Sequence, residues 1–181
     1  CSTSYSTGTG SGDFISLVNL LTTTLNNPSG ASASPFYTLY PASGSTTATL
    51  TAGTMYTMTV SGGTFSTCLI RGWIDYNNNG TFEASETIGV SPNVGASASG
   101  NIVFTVPAGA INGALRMRLR SSDTSPGPGT GDACAATNSG FGETEDYLII
   151  PDTSCDICPD LNCDGIVNLT DLAKLSQKWL G

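Results

Sequence analysis

Residues Asp160 to Asp171 read D-L-N-C-D-G-I-V-N-L-T-D, and residues Asp75 to Glu86 read D-Y-N-N-N-G-T-F-E-A-S-E. Both strings place an oxygen-bearing side chain at loop positions 1, 3 and 5, Gly at position 6 and a carboxylate at position 12. That is the chemistry of a calcium loop. The ion takes roughly six to eight hard oxygen ligands at about 2.3–2.6 Å, and this spacing wraps a short stretch of chain around it. In the first loop Asp75, Asn77, Asn79 and Glu86 are assigned as side-chain ligands. Thr81 supplies its carbonyl, and Glu83 ligates directly or through water. In the second, Asp160, Asn162, Asp164 and Asp171 are the side-chain ligands, Ile166 gives its carbonyl and Asn168 occupies position 9. Each loop has a plainer reading. Asn79-Gly80 is a strong hairpin-turn pair, and the second loop could be held by disulfides around Cys163.

Elements must position these loops. In residues 1–151 the apolar pattern has period two: Tyr56, Met58 and Val60; Ile102, Phe104 and Val106; Leu115, Met117 and Leu119. Alternation of this kind marks half-buried antiparallel strands. Stretches rich in Gly, Ser, Asn and Pro, such as Asn26–Ser34 and Ser125–Gly131, read as turns and loops. Six to nine short strands without helical periodicity predict an all-β fold, an antiparallel β-sandwich. Residues 152–159 form a linker bearing Cys and Pro. In residues 160–181 Leu169, Leu172, Leu175, Trp179 and Leu180 recur at helical spacing, and Asn168 or Thr170 can cap the helix start. The expected appendage is one calcium loop followed by one amphipathic α-helix.

The chain has 181 residues, 11% charged, no His and a net charge of −8. A nucleic-acid binder needs a basic face, and only the short stripe Arg116, Arg118 and Arg120 offers one. On an alternating strand that stripe points outward and reads as a solvated face. No apolar run approaches the roughly 20 residues of a membrane span. Six cysteines, Cys1, Cys68, Cys134, Cys155, Cys158 and Cys163, form an even set. Without His or a second Cys pair, zinc at Cys155-x-x-Cys158 is disfavoured, and three disulfides in an oxidising compartment are expected. The first residue, Cys1, suggests a mature chain after signal-peptide removal.

Glu143, Glu145 and Asp146 crowd before Tyr147. Paired carboxylates can serve acid–base chemistry, but neither a nucleophile–base pair nor a cofactor motif accompanies them, so no enzyme is expected. Ion pairs to Arg71 or Arg116, or a further calcium site, are the other readings. Trp73 and Trp179 could stack on sugars; Trp73 lies in a strand pattern and is expected in the core.

Three strings carry a family resemblance: W-I-D-Y-N-N-N-G-T-F (Trp73–Phe82), V-P-A-G-A followed by G-A-L-R-M-R-L-R (Val106–Arg120), and G-E-T-E-D-Y (Gly142–Tyr147). Over roughly residues 1–150 the chain resembles the GEVED domain, with Thr144 at the Val of the naming motif and Asn79 where an Asp is usual. The resemblance implies a β-sandwich module of secreted and surface bacterial proteins, with no activity of its own. Residues Asp160–Leu180 resemble one repeat of a type I dockerin, which implies a cohesin-like partner. The resulting expectation is a secreted, Ca2+-binding structural protein of an extracellular filament or surface layer. Its C-terminal loop-helix presents Leu172, Leu175 and Trp179 for self-assembly into a homopolymer. A cell-surface adhesion or carbohydrate-binding module, with a glycan partner, and a scaffold module docking a cohesin-like receptor are the alternatives.

Overall fold

The computed structural model describes residues 3, 5–108, 110, 113–123, 133–134, 140–152, 169–170 and 172–173. The chain divides into two compact units, Cys1–Pro151 and Asp152–Gly181. The first is all-β. Its strands among the described residues are β1 (Ile15–Leu20), β2 (Asn26–Asn27), β3 (Tyr37–Leu39), β4 (Thr49–Thr51), β5 (Met55–Gly62), β6 (Leu69–Ile74), β7 (Thr87–Val90), β8 (Ser99–Thr105), β9 (Leu115–Ser122) and β10 (Thr144–Asp152). They form two sheets, one ordered β2-β1-β5-β8 and the other β3-β10-β9-β6-β7, with β4 also paired to β10.

The alternating apolar residues build the interior. Tyr56, Met58 and Val60 from β5, Ile102 and Phe104 from β8, and Leu115, Met117 and Leu119 from β9 are buried in one cluster. Ile15, Val18 and Leu20 of β1 and Ile70 and Ile74 of β6 join them, so both sheets contribute to the same core. Burying an aliphatic side chain of this size stabilises the fold by about 1.5–3 kcal/mol. Register is therefore strongly specified, because a one-residue slip would turn each apolar set outward.

Two expectations need correction. The sandwich is not wholly antiparallel: β3 runs parallel to β10, pairing Tyr37 with Thr144, Thr38 with Glu145 and Leu39 with Asp146. Parallel neighbours need a long crossover, and here most of the chain lies between the two strands. Two of the three arginines of the β9 stripe are not on a solvated face either, while Arg116 keeps 40% of its side chain exposed. Arg118 and Arg120 are 1% and 0% exposed. Period two correctly turns them away from the sheet-to-sheet core, but that outer face is covered. Phe82 and Tyr37 lie over the Arg118 guanidinium and Tyr5 over that of Arg120, with centroid distances of 5.0, 5.9 and 5.3 Å. Trp73 is buried on this same outer face, directly opposite Arg118 in register, rather than between the sheets.

In the second unit Leu169, Thr170, Leu172 and Ala173 are helical, and Leu169 and Leu172 are exposed. The ligands assigned at Asp160, Asn162, Asp164, Ile166, Asn168 and Asp171 lie outside the described residues, as do Cys155, Cys158, Cys163, Leu175 and Trp179. Among the described residues no helix is long and apolar enough to cross a membrane.

Candidate metal-binding site

Strand β6 ends at Ile74 and delivers Asp75 into the connection to β7. The backbone N–H of Asp75 still donates to the Arg116 carbonyl of β9 at 3.0 Å, so the first loop residue is fixed to the sheet. Its side chain is 2% exposed. One carboxylate oxygen accepts from the Asn79 N–H at 3.1 Å and the other from the Gly80 N–H at 2.9 Å. The chain can fold back onto Asp75 in this way because Asn78 and Gly80 adopt φ of +52° and +83°. Glycine takes that conformation without steric cost and asparagine tolerates it.

The rest of the loop closes in the same manner. Asn77 Oδ1 accepts from the Asn79 N–H at 3.0 Å, and Asn79 Oδ1 accepts from the Thr81 N–H at 2.8 Å. Glu83 Oε1 accepts from Asn79 Nδ2 and from the Thr81 hydroxyl, both at 2.7 Å, and its Oε2 accepts from Asn77 Nδ2 at 3.3 Å. Glu86 is buried, and its Oε1 accepts from the Tyr76 and Asn77 N–H groups at 2.8 and 3.3 Å. Its Oε2 accepts from the Glu83 N–H at 3.1 Å, completing a reciprocal cap on the short 3-10 turn Ala84–Glu86. The six residues assigned from sequence in this loop are thus drawn into one hydrogen-bonded ring.

The electrostatics of the ring are those of acids crowded together. The Asn79 amide, the neighbouring Glu86 and the Thr81 hydroxyl hold Glu83 down to about 2. Burial and the Glu83 carboxylate beside it push Glu86 up. No Lys or Arg donates to the ring among the described hydrogen bonds. The donors are all oxygen, and a carboxylate with about four lone-pair sites retains some after accepting two N–H bonds. Asp75, Asn77, Asn79, Glu83 and Glu86 therefore suit a hard cation by donor type. Among the described residues no group of three His, Cys, Asp or Glu side chains gathers as a metal cluster. A cation in this loop would draw on asparagine and backbone carbonyl oxygens as well as acids.

The second acidic string, Gly142–Tyr147, enters β10, and its carboxylates diverge. Asp146 accepts from Arg118 Nε at 2.7 Å and Nη2 at 2.8 Å, and from the Tyr37 hydroxyl at 2.9 Å. Arg116 Nε stands farther away, at 3.8 Å. Glu143 turns to the opposite face, where its Oε1 accepts from the Ile15 N–H at 2.7 Å and its Oε2 from the Ser32 N–H and hydroxyl. Glu145 accepts from the Tyr147 hydroxyl at 2.8 Å and the Tyr40 hydroxyl at 3.1 Å, beneath the stacked Tyr40 and Tyr147 rings. Burial pushes Glu143 up, and burial with the Glu143 charge pushes Glu145 up to about 8. Each acid is a separate staple, so the three do not converge on one ligand. Gly142 has φ of +112°, and a Cβ there would stand 2.1 Å from the Ser121 carbonyl oxygen, which explains the glycine that opens the string.

Phe82 joins the two features. It belongs to the Asp75–Glu86 loop, yet its ring lies over the guanidinium of Arg118, the partner of Asp146. Strings far apart in sequence thus meet on the outer face of the larger sheet.

Sequence reasoning missed Asp13, which is 0% exposed at the entry to β1. It also placed Cys68 in a disulfide, and Cys68 is a free, buried thiol. Its sulfur faces the Asp13 carboxylate, and burial with the Asp13 charge pushes the thiol up. The expectation that all six cysteines pair is therefore incorrect. An even count cannot reveal that one of the set lies in the core.

The fold and loop define a β-sandwich-like module with a built acidic loop on one sheet. Residues 69–150 match the family model of the GEVED domain. That segment runs from β6 through β10 and includes the loop, the buried arginines and the G-E-T-E-D-Y strand. No curated protein matches the sequence.

Proposed function

We propose that the chain is a secreted, calcium-binding structural protein, a subunit of an extracellular filament or surface layer. One observation carries the reading. The oxygen-bearing side chains of Asp75–Glu86 close into a single ring, and Phe82 fastens that ring to the buried Arg118–Asp146 pair. Calcium in the ring would neutralise Glu83 and Glu86 and tie the β6–β7 connection to the strand that carries the acidic string. The bound ion then acts as part of the fold, because a ligand that binds only the native state stabilises it. The low charge and the disulfide-bonded Cys134 support an oxidising, extracellular setting.

Assembly is the second half of the proposal. Leu169 and Leu172 are 80% and 59% exposed on helical backbone, which supports a role for this segment in contact with another copy. A patch that fits a different surface on the next subunit makes a heterologous contact, and such contacts run on into rings or filaments. The test is electron microscopy and sedimentation of the full chain in millimolar calcium and in excess chelator. Polymers that form with calcium, dissolve on chelation and are lost in Leu169→Glu/Leu172→Glu are expected. A strictly monomeric, calcium-loaded chain at high concentration overturns the proposal.

A further inference from the structure

The strongest uncompensated polar group described in the molecule lies away from the loop. Asp13 is 0% exposed, and neither of its carboxylate oxygens has a hydrogen-bond partner. Leaving such a group buried and unpaired is costly, and buried carboxylates are ordinarily paired or coordinate metals. What faces it is the Cys68 thiol, a weak donor. The charged groups that act on it are two further acids, Asp123 and Glu143. Glu143 is already satisfied by Ile15 and Ser32. Asp123 is not: its Oδ1 is also buried without a partner. The two unsatisfied acids come from the entry to β1 and the exit of β9, beside the thiol that precedes β6.

We propose that Asp13 and Asp123 bind a hard divalent cation, calcium in an extracellular medium, at a site separate from the Asp75–Glu86 loop. Asp13 contributes its two orphaned oxygens and Asp123 its Oδ1. Backbone carbonyls and water complete the oxygen shell that calcium requires. Cys68 lines the site as a protonated thiol and not as a ligand, since burial holds it in the neutral form. A neutral thiol beside the Asp13 carboxylate is a poor seat for a soft metal, which favours oxygen-seeking calcium over zinc. The burial that pushes Asp13 up to about 6 is the expected state of a buried acid without its cation. The cation would pin the start of β1 to the end of β9, and so link the two sheets at one end.

The experiment counts bound calcium per full-length chain by equilibrium dialysis, after stripping and reloading with calcium alone. Asp13→Asn and Asp123→Asn should each lose one calcium relative to the parent and keep the calcium that Glu86→Gln removes. Asp13→Asn/Glu86→Gln should lose two. If Glu86→Gln loses none while Asp13→Asn loses one, the loop reading fails and this site stands. Undiminished calcium in Asp13→Asn overturns the site, as does zinc displacing calcium with Cys68 as a ligand. Should the variants fail to fold, carboxyl-carbon NMR of the parent labelled at aspartate provides the same decision. Calcium should shift the Asp13 resonance, and a resonance that calcium leaves unmoved overturns the proposal.

Discussion

Replacing Glu145 with Gln should flatten the pH dependence of stability. Glu145 is 1% exposed, accepts from Tyr147 and Tyr40, and has its carboxyl pushed from 4.5 up to about 8 by burial and the Glu143 charge. The folded state therefore holds the proton more tightly than the unfolded chain. Between those two values the native state binds more protons, so stability falls as pH rises. The contribution is fully present below about pH 4.5 and is lost as pH rises to about 8. At about 1.4 kcal/mol per pKa unit, a shift of this size sets an upper limit on the order of 5 kcal/mol. Relaxation around the charged form reduces it, so a loss of about 2–4 kcal/mol between pH 5 and pH 9 is expected. Asp13 is pushed up to about 6 only while no cation is bound, and calcium on it would change its contribution, so the informative quantity is the difference between parent and variant. Glutamine keeps the shape and can still bond both hydroxyls. Urea unfolding at several pH values in saturating calcium should show the parent losing stability with pH more steeply than Glu145→Gln. Parallel profiles for the two proteins would refute the assignment.

Other outcomes follow from the same geometry. Asp146→Asn leaves the Arg118 guanidinium buried with a neutral partner. It should cost about 3–5 kcal/mol in unfolding free energy, and a change below 1 kcal/mol would remove the pair from the account. Pairing that change with Arg118→Met, which removes the charge altogether, should recover part of the loss. Cys68 should be silent to a thiol reagent in the native protein and react once the unreduced chain is denatured. A denatured chain with no reactive thiol would contradict its free state.

Much of the interior was legible in the sequence because β5, β8 and β9 alternate strictly. Tyr56, Met58, Val60, Ile102, Phe104, Leu115, Met117 and Leu119 all face the core that their spacing predicts. The Asp75–Glu86 loop was legible as a turn with ordered acids because its bonds are local, each spanning ten residues or fewer. The outer face of β9 was not. Period two says that Arg118 and Arg120 point away from the core, but not that Tyr5, Tyr37 and Phe82 come to cover them from distant segments. For the same reason the acids of G-E-T-E-D-Y could be recognised as a cluster but not separated into staples on opposite faces. Their partners, Ile15, Ser32, Tyr40 and Arg118, lie far from them in the chain. The parallel pairing of β3 with β10 and the burial of Asp13 are likewise products of tertiary packing without a local pattern.

Calcium titration of the full-length chain, read by calorimetry and by melting temperature, tests the central claim most directly when Glu86→Gln is run beside the parent. Stabilisation follows RT ln(1 + [L]/Kd), about 2.7 kcal/mol at a hundredfold excess over Kd. Extracellular calcium modules often bind at roughly 10⁻⁴–10⁻³ M. The account predicts that calcium raises the melting temperature of the parent, that chelation lowers it, and that Glu86→Gln blunts both responses. Identical melting curves in calcium and in excess chelator, or a Glu86→Gln protein that binds calcium as the parent does, would contradict it.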